Sequence, residues 1–156
     1  PWMGLEELFD EGLARAIGVS NYMAHHLNEL FEHARILPAV NQIELSPYNY
    51  LQRLETINLC RAMGIAVEAY SPLTKGRKLG DPRLAGIATR YGRSPAQVLI
   101  RWGLQKGFIV LAKSNRPERI RENAAVFDFD LSDEDIATLD GFNENLVTGW
   151  DPTHEP

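Results

Sequence analysis

The strongest constraint on this chain is its rhythm. Four short apolar runs, Arg15–Val19, Ala39–Glu44, Ala66–Ser71 and Phe108–Lys113, alternate with longer stretches whose apolar residues recur at helical spacing. Runs of five or six such residues have the length of buried strands, and the stretches between them have the length of helices. Strand, helix, strand, helix, repeated, requires parallel strands joined by right-handed crossovers, because each helix carries the chain back to the end of the sheet where the next strand begins. The fold class is therefore α/β.

The connections carry their own punctuation. After Ser20-Asn21, the residues Leu27, Leu30, Phe31 and Ala34 stand at i, i+3, i+4, i+7, so one face of a surface helix is apolar while Glu29, Glu32 and Arg35 face water. The second connection predicts a helix over about Leu51–Met63, with Leu54, Ile57 and Cys60 inward and Gly64 as its stop. The third holds two helices, opened by Asp81-Pro82 and Ser94-Pro95 and separated by Gly92. Proline suits the first helical position, where its missing N–H would have no partner in any case. Pro117–Ala125 reads as a helix, as does the segment opened by Ser132-Asp133-Glu134-Asp135, with Ile136 and Leu139 inward; from Asn143 to Pro156 there is no periodicity.

Composition narrows the class. With 156 residues, 44% of them hydrophobic and 24% charged, the chain has the core-forming content of roughly one domain. No apolar run approaches the roughly 18 residues needed to cross a bilayer, and the first residues do not read as a signal peptide, so a soluble protein is expected, without a membrane partner. The net charge of −5, with basic residues scattered apart from Arg77-Lys78 and Lys113 to Arg121, argues against nucleic acid as a partner. A single cysteine, Cys60, cannot form an internal disulfide and falls in an apolar helical pattern, which fits a core residue in a reducing cytoplasm. The chain opens at Pro1-Trp2, already inside a helical pattern, and this leads to the expectation that a segment precedes it.

In parallel α/β folds, ligands gather at the C-terminal ends of the strands, where loops and helix N-termini converge with free N–H groups. Those ends read Ser20-Asn21, then Asn41-Gln42 with Glu44, then Tyr70-Ser71-Pro72-Leu73, then Lys113-Ser114-Asn115-Arg116. Each has an ordinary structural reading: a helix cap, a polar layer, a core ring with a satisfied hydroxyl. Together they form a set suited to a nucleotide. Amides can pair with a carboxamide, a tyrosine face can stack on a flat heterocycle, and a lysine with an arginine six residues on can hold a phosphate at a helix start. No G-x-G-x-x-G is present, so a doubly wound dinucleotide fold is the weaker alternative.

Ala16-Ile17-Gly18-Val19-Ser20-Asn21, Asn41-Gln42-Ile43-Glu44 with Pro47-Tyr48, Ala69-Tyr70-Ser71-Pro72-Leu73, and Lys113-Ser114 with Pro117-Glu118-Arg119-Ile120 and Glu122-Asn123 closely resemble the aldo-keto reductases in order and spacing. The resemblance implies a (β/α)8 TIM barrel of which this chain is the C-terminal half, strands five to eight preceded by one helix carrying Leu5, Leu8 and Phe9. The tail 143–156 would lie over the C-terminal strand face. It implies NADPH as cofactor, with Ser20, Asn21 and Gln42 on the nicotinamide carboxamide and Tyr70 stacked on the ring. Ser71 and Leu73 would line the pyrophosphate, under a loop formed by 74–80. Lys113, Ser114, Asn115 and Arg119 would hold the 2′-phosphate side, and Glu122 and Asn123 the adenine edge. Two cations, Lys113 and Arg119, exceed what an uncharged ribose hydroxyl requires, and no carboxylate stands among the first four residues after that strand. The alternative for Arg119 is a surface pair with Glu122. One departure from the family pattern is Ala112, where proline often precedes the lysine.

The same resemblance exposes what is missing. The family's chemistry uses a tyrosine proton donor, an aspartate and a lysine that tune it, and usually a histidine. All four come from the barrel's first half, so the expected catalytic set in this chain is none. Along the chain no Asp–Lys pair flanks Tyr22, Tyr48 or Tyr50, and His25, His26 and His33 fit a solvated outer helix face better than a metal site. Glu44 and Glu68, inside strands, suit barrel-interior polar contacts or outward pairing rather than acid–base chemistry. Half a barrel leaves two unpaired edges, so a missing N-terminal half or a second copy is expected as partner. Two functions follow from the resemblance: a reductase of carbonyl substrates with Trp150 walling the substrate opening, or a non-catalytic NADPH-binding or assembly module.

Overall fold

The computed structural model describes residues 1–155, and in it the parallel sheet predicted from the rhythm is present. Its strands are β1 (Val19–Ser20), β2 (Val40–Glu44), β3 (Ala66–Tyr70) and β4 (Ile109–Leu111), adjacent in chain order and all parallel. The helices are α1 (Trp2–Asp10), α2 (Ala24–Phe31), α3 (Tyr50–Ala62), α4 (Pro82–Tyr91), α5 (Pro95–Gln105), α6 (Pro117–Ala124) and α7 (Asp133–Asp140). The caps fall where the sequence puts them. Asp81 and Ser94 accept backbone N–H bonds at the starts of α4 and α5, each followed by proline, and Gly92 closes α4 at φ +59°.

Register decides which residues face which way. Gln42 lies beside Glu68, and Glu68 beside Ile109; Glu44 lies beside Tyr70, and Tyr70 beside Leu111. Side chains alternate along a strand, so the intervening Asn41, Ile43, Val67, Ala69 and Val110 share the opposite, convex face. Helices cover that face. Ile43, Leu27, Ile57, Cys60, Leu99 and Trp102 are buried there, and Trp102 packs edge-on against Tyr50 at 5.4 Å while its indole N–H donates to Asp140. Cys60 is in this core, and burial pushes its thiol pKa up.

Two close approaches fix the sheet. A Cβ on Gly18 would stand 2.4 Å from Val40 Cγ1 and 2.7 Å from the Val40 carbonyl oxygen, so β1 can lie this near β2 only with glycine there. Likewise a Cβ on Gly103 in α5 would come within 2.8 Å of Val110.

Some boundaries move from those read in the sequence. The first strand starts at Val19, not Arg15, because it is an edge with one neighbour: Ala39 N–H donates to the Ile17 carbonyl, and the residues before Ile17 have no ladder partner. The last strand spans only Ile109–Leu111 rather than Phe108–Lys113. α2 ends at Phe31, so Ala34 and His33 lie in the turns that follow it and not on the helix. A 3₁₀ turn, Pro47–Asn49, leads directly into α3. α1 is attached by polar contacts: buried Glu6 accepts from the N–H groups of Arg35 and Ile36, and the Trp2 indole donates to the Ile36 carbonyl. Leu8 and Phe9 on α1 remain exposed.

Candidate functional site

Four of the five non-glycine residues with positive φ among the described residues, Asn21, Ser71, Thr74 and Lys75, follow β1 or β3. Left-handed backbone is costly for such residues, and it tends to concentrate where a fold positions functional groups. At the end of β1, Ser20 Oγ donates to the Gln42 carbonyl at 2.9 Å and Asn21 N–H to the same oxygen at 2.8 Å. The turned backbone of Asn21 presents its side-chain oxygen to the Tyr70 hydroxyl, which donates to it at 3.0 Å. Gln42 donates to Glu68 at 2.7 Å on the concave face. Ser20, Asn21, Gln42 and Tyr70, from three neighbouring strands, therefore form one linked group. Burial raises the Tyr70 pKa, with the Glu44 charge adding to the effect.

Two cavities open at these strand ends. The larger, about 860 Å³, is bounded by the segment after β3, the start of α5 and the segment running from β4 into α6. It gathers Ser71, Leu73, Lys113, Ser114, Asn115, Arg119, Glu122 and Asn123. The cleft also takes in Arg116 from the strand-end run, Lys75 from the 74–80 loop, and the N-terminus of α5 at Ser94–Ala96, the one contributor that sequence reasoning missed. Ser94-Pro95 had been legible as a helix start, and that start was the available signal. Lys113, Arg116 and Arg119 make no ion pair among the described residues, so the surface pair of Arg119 with Glu122 is not formed. Unpaired cations beside two helix N-termini make this cleft attractive to an anion.

The smaller cavity, about 610 Å³, is lined by Ser20, Asn21, Tyr22, Trp150 and the first residues of α1. Trp150 is 55% exposed there. Gln42 and Tyr70 line neither cavity.

Other candidates resolve differently. Glu68 pairs with Gln42, whereas buried Glu44 accepts from Thr148 N–H at 2.8 Å, the Thr148 hydroxyl and Gly149 N–H at 3.0 Å. His25 and His26 stack at 3.8 Å and both reach the Glu155 carbonyl; no group of three or more metal-ligating side chains occurs among the described residues. Tertiary folding does bring a lysine and an aspartate to two tyrosines that lack them along the chain. Tyr48 donates to Asp81 at 3.1 Å with Lys78 5.4 Å from its ring centre, and Tyr50 has Lys106, itself bonded to Asp140, at 4.4 Å. Both rings are buried in the core. Burial first, then the Asp81 charge, pushes the Tyr48 pKa up, the wrong direction for a proton donor at neutral pH.

No helix among the described residues is long and apolar enough to cross a membrane. The chain matches the aldo/keto reductase family over residues 1–144. An uncharacterized oxidoreductase of Schizosaccharomyces pombe is 46% identical over 156 residues, covering 99% of this chain and 56% of the relative. Glyoxal reductase of Bacillus subtilis is 44% identical over 151 residues, covering 97% of this chain and 54% of that protein. Among solved structures, a Gox0644 variant in complex with NADPH superposes with a TM-score of 0.91 at 38% identity, over 99% of this chain and 57% of the other. A Bombyx mori aldo-keto reductase in complex with NADP superposes at 0.86 and 35% identity, over 97% and 52%. The chain spans about half the length of the curated relatives it matches. Its four parallel strands with their outer helices match about half of those TIM-barrel neighbours. By motif order, register and fold, this chain belongs to the aldo/keto reductase family.

Proposed function

We propose that this chain is the C-terminal, cofactor-binding half of an NADPH-dependent aldo-keto reductase that converts aldehydes or ketones to alcohols. The observation that carries this reading is the cleft of about 860 Å³ with Lys113, Arg116 and Arg119 around it, none in an ion pair among the described residues. Three uncommitted cations and the N-termini of α5 and α6 suit a diphosphate and a ribose 2′-phosphate, and would be a poor arrangement for a neutral ligand. The NADPH and NADP complexes of two structural neighbours support the same choice.

The residues divide the work. Lys113, Ser114, Asn115 and Arg119 hold the 2′-phosphate, Glu122 and Asn123 the adenine edge, and Ser71 and Leu73 the pyrophosphate. Ser20, Asn21 and Gln42 orient the nicotinamide carboxamide; the Gln42 side chain donates from Nε2 to Glu68 and keeps its side-chain oxygen Oε1 to accept. Tyr70 stacks on the ring, its hydroxyl fixed by Asn21 so that the aromatic plane is held. The bound cofactor supplies a hydride to the carbonyl carbon. Trp150 walls the substrate side.

The proton donor belongs to a part of the barrel outside these residues. Tyr48 and Tyr50 are buried away from both cavities, and Tyr70 has its pKa raised rather than tuned downward. A positioned general acid contributes about 10²–10⁴-fold, so this chain alone is slow by that factor or more. The concave sheet face and the exposed Leu8 and Phe9 of α1 fit a missing N-terminal half-barrel as partner, with a second copy as the substitute. A cytoplasmic location suits the nicotinamide cofactor and the unpaired Cys60.

The test is turnover of a generic aldehyde with NADPH by the purified 156-residue chain. Cofactor binding without measurable oxidation is expected. Oxidation at an ordinary enzymatic rate would refute the assignment of the proton donor to another segment. Absence of NADPH binding would refute the cofactor role itself.

A further inference from the structure

The segment after α7 has no secondary structure, yet two of the most deeply buried charged side chains in the molecule hold it. Glu44, at the end of β2, is 4% exposed and spends its carboxylate on Thr148 N–H, the Thr148 hydroxyl and Gly149 N–H. Arg53, in the first turn of α3, is 1% exposed and donates to Asp151 at 3.1 Å and to the Thr153 hydroxyl at 2.6 Å. These partners lie about a hundred residues away in sequence, on either side of Trp150. A buried charge is costly unless it is paired and hydrogen-bonded; every partner of the Glu44 carboxylate and every oxygen partner of Arg53 comes from this strap, the Met23 sulfur at 3.4 Å being the guanidinium's other contact. The neighbouring Gln52 adds to the anchor, its amide donating to the Thr153 hydroxyl at 3.2 Å. Lys75, which lines the larger cleft, donates to the Thr148 carbonyl at 2.8 Å, giving cleft and strap one residue in common.

We infer that Glu44 and Arg53 are positioning residues for the substrate side of the site: they dock the strap Thr148–Thr153 and thereby set where Trp150 stands beside Ser20 and Asn21. The carbonyl substrate's apolar group then meets a wall whose place is fixed from underneath by two charges. This inference rests on the proposed role of the strand ends as a nicotinamide site. Its structural claim, a strap docked by these two residues, can be tested without cofactor.

The experiment compares the full chain with Glu44→Gln and with the strap-side variants Asp151→Asn and Thr153→Val, which leave the core residue in place. Hydrogen exchange at the Thr148 and Gly149 amides is read together with acrylamide quenching of Trp150, isolated by comparison with Trp150→Phe. Loss of a hydrogen bond to a charged group is expected to speed exchange of those amides by roughly tenfold or more. Quenching should increase, while exchange in β2 and β3 stays close to that of the unmodified chain. The inference is overturned by fast Thr148 and Gly149 exchange in the unmodified chain, or by unchanged exchange and quenching in all three variants. It is equally overturned if every variant loses β2 and β3 protection along with the strap, since the residues would then be structural only. If NADPH fails to bind while the strap behaves as expected, the cofactor reading falls and the docking of the strap stands.

Discussion

The two faces of the sheet are made of the same strands, residue by residue in alternation, and they have opposite fates. On the convex face Asn41, Ile43, Val67 and Ala69 lie beneath α2, α3 and the helices between β3 and β4, and are all buried. On the concave face Ile109 and Leu111 are 46% and 39% exposed, and Gln42 and Glu68 pair with each other. A parallel sheet is ordinarily covered on both sides. Here the chain supplies one cover itself; on the proposed half-barrel reading, inward side chains of further strands would supply the other. The contrast separates a face covered by the chain's own helices from one that they leave open.

The largest effect should come from the covered face. Trp102→Ala removes a fully buried ring and a hydrogen bond to Asp140, and should cost about 3–5 kcal/mol in a denaturant titration. Leu111→Ala on the open face should change stability by less than about 0.5 kcal/mol. Equal losses would show that the concave face is covered in solution, by a second copy or otherwise. Next in size, Gly18→Ala forces a Cβ against the Val40 carbonyl and should destabilise by about 1–3 kcal/mol, visible as faster amide exchange along β1 and β2. A neutral result would mean that the β1 edge is loose.

The smallest effect concerns acid. Asp81, held by the Arg83 guanidinium and by the Arg83 N–H and Tyr48 hydroxyl against the opposing effect of burial, is lowered from 3.8 to about 2. Glu144 is lowered by Lys78 and Arg83, and Asp151, against burial, by Thr153 and Arg53. A depressed carboxyl pKa contributes stability that is complete above the unfolded value and disappears as pH falls through the folded value. For Asp81, its share should therefore be intact at pH 5 and be lost between about 4 and 2. Amide exchange of the segment after β3 and of the tail should rise in that window, before the covered core of α3 and α5 yields. Simultaneous loss of both would contradict the separation of the two regions.

What could be read from the chain follows the same division. The strand–helix alternation, helix caps at Asp81 and Ser94, the Gly92 stop and the burial of Cys60 depend on local pattern, and local pattern was enough. β1 shrank to Val19–Ser20 because an edge strand is defined by its single neighbour, which no window of its own sequence contains. The tail's internal order was unreadable from local pattern for a similar reason, its expected place over the strand ends having come only from the family resemblance. Its order comes from Glu44 and Arg53, contacts about a hundred residues distant, while its own residues have no period. Lys78 and Asp81 beside Tyr48 were likewise invisible along the chain, and the burial of that ring is what separates the trio from an acid–base site. The strand-end residues were legible as a set, since four polar ends in one order are a strong signal even where each has an ordinary alternative. The start of α5 was missed because cleft lining depends on loop paths.

The most direct test of the account is the ratio of NADPH to NADH affinity, measured by titration of the chain and of its Lys113→Ala and Arg119→Ala variants. A charge-assisted contact to a phosphate contributes about 1.5–3 kcal/mol, roughly 10- to 150-fold in affinity. NADPH should therefore bind the unmodified chain at least roughly tenfold more tightly than NADH. Each variant should lose NADPH affinity within that range while keeping its NADH affinity. Equal affinities for the two cofactors, or NADPH binding indifferent to both substitutions, would contradict the account.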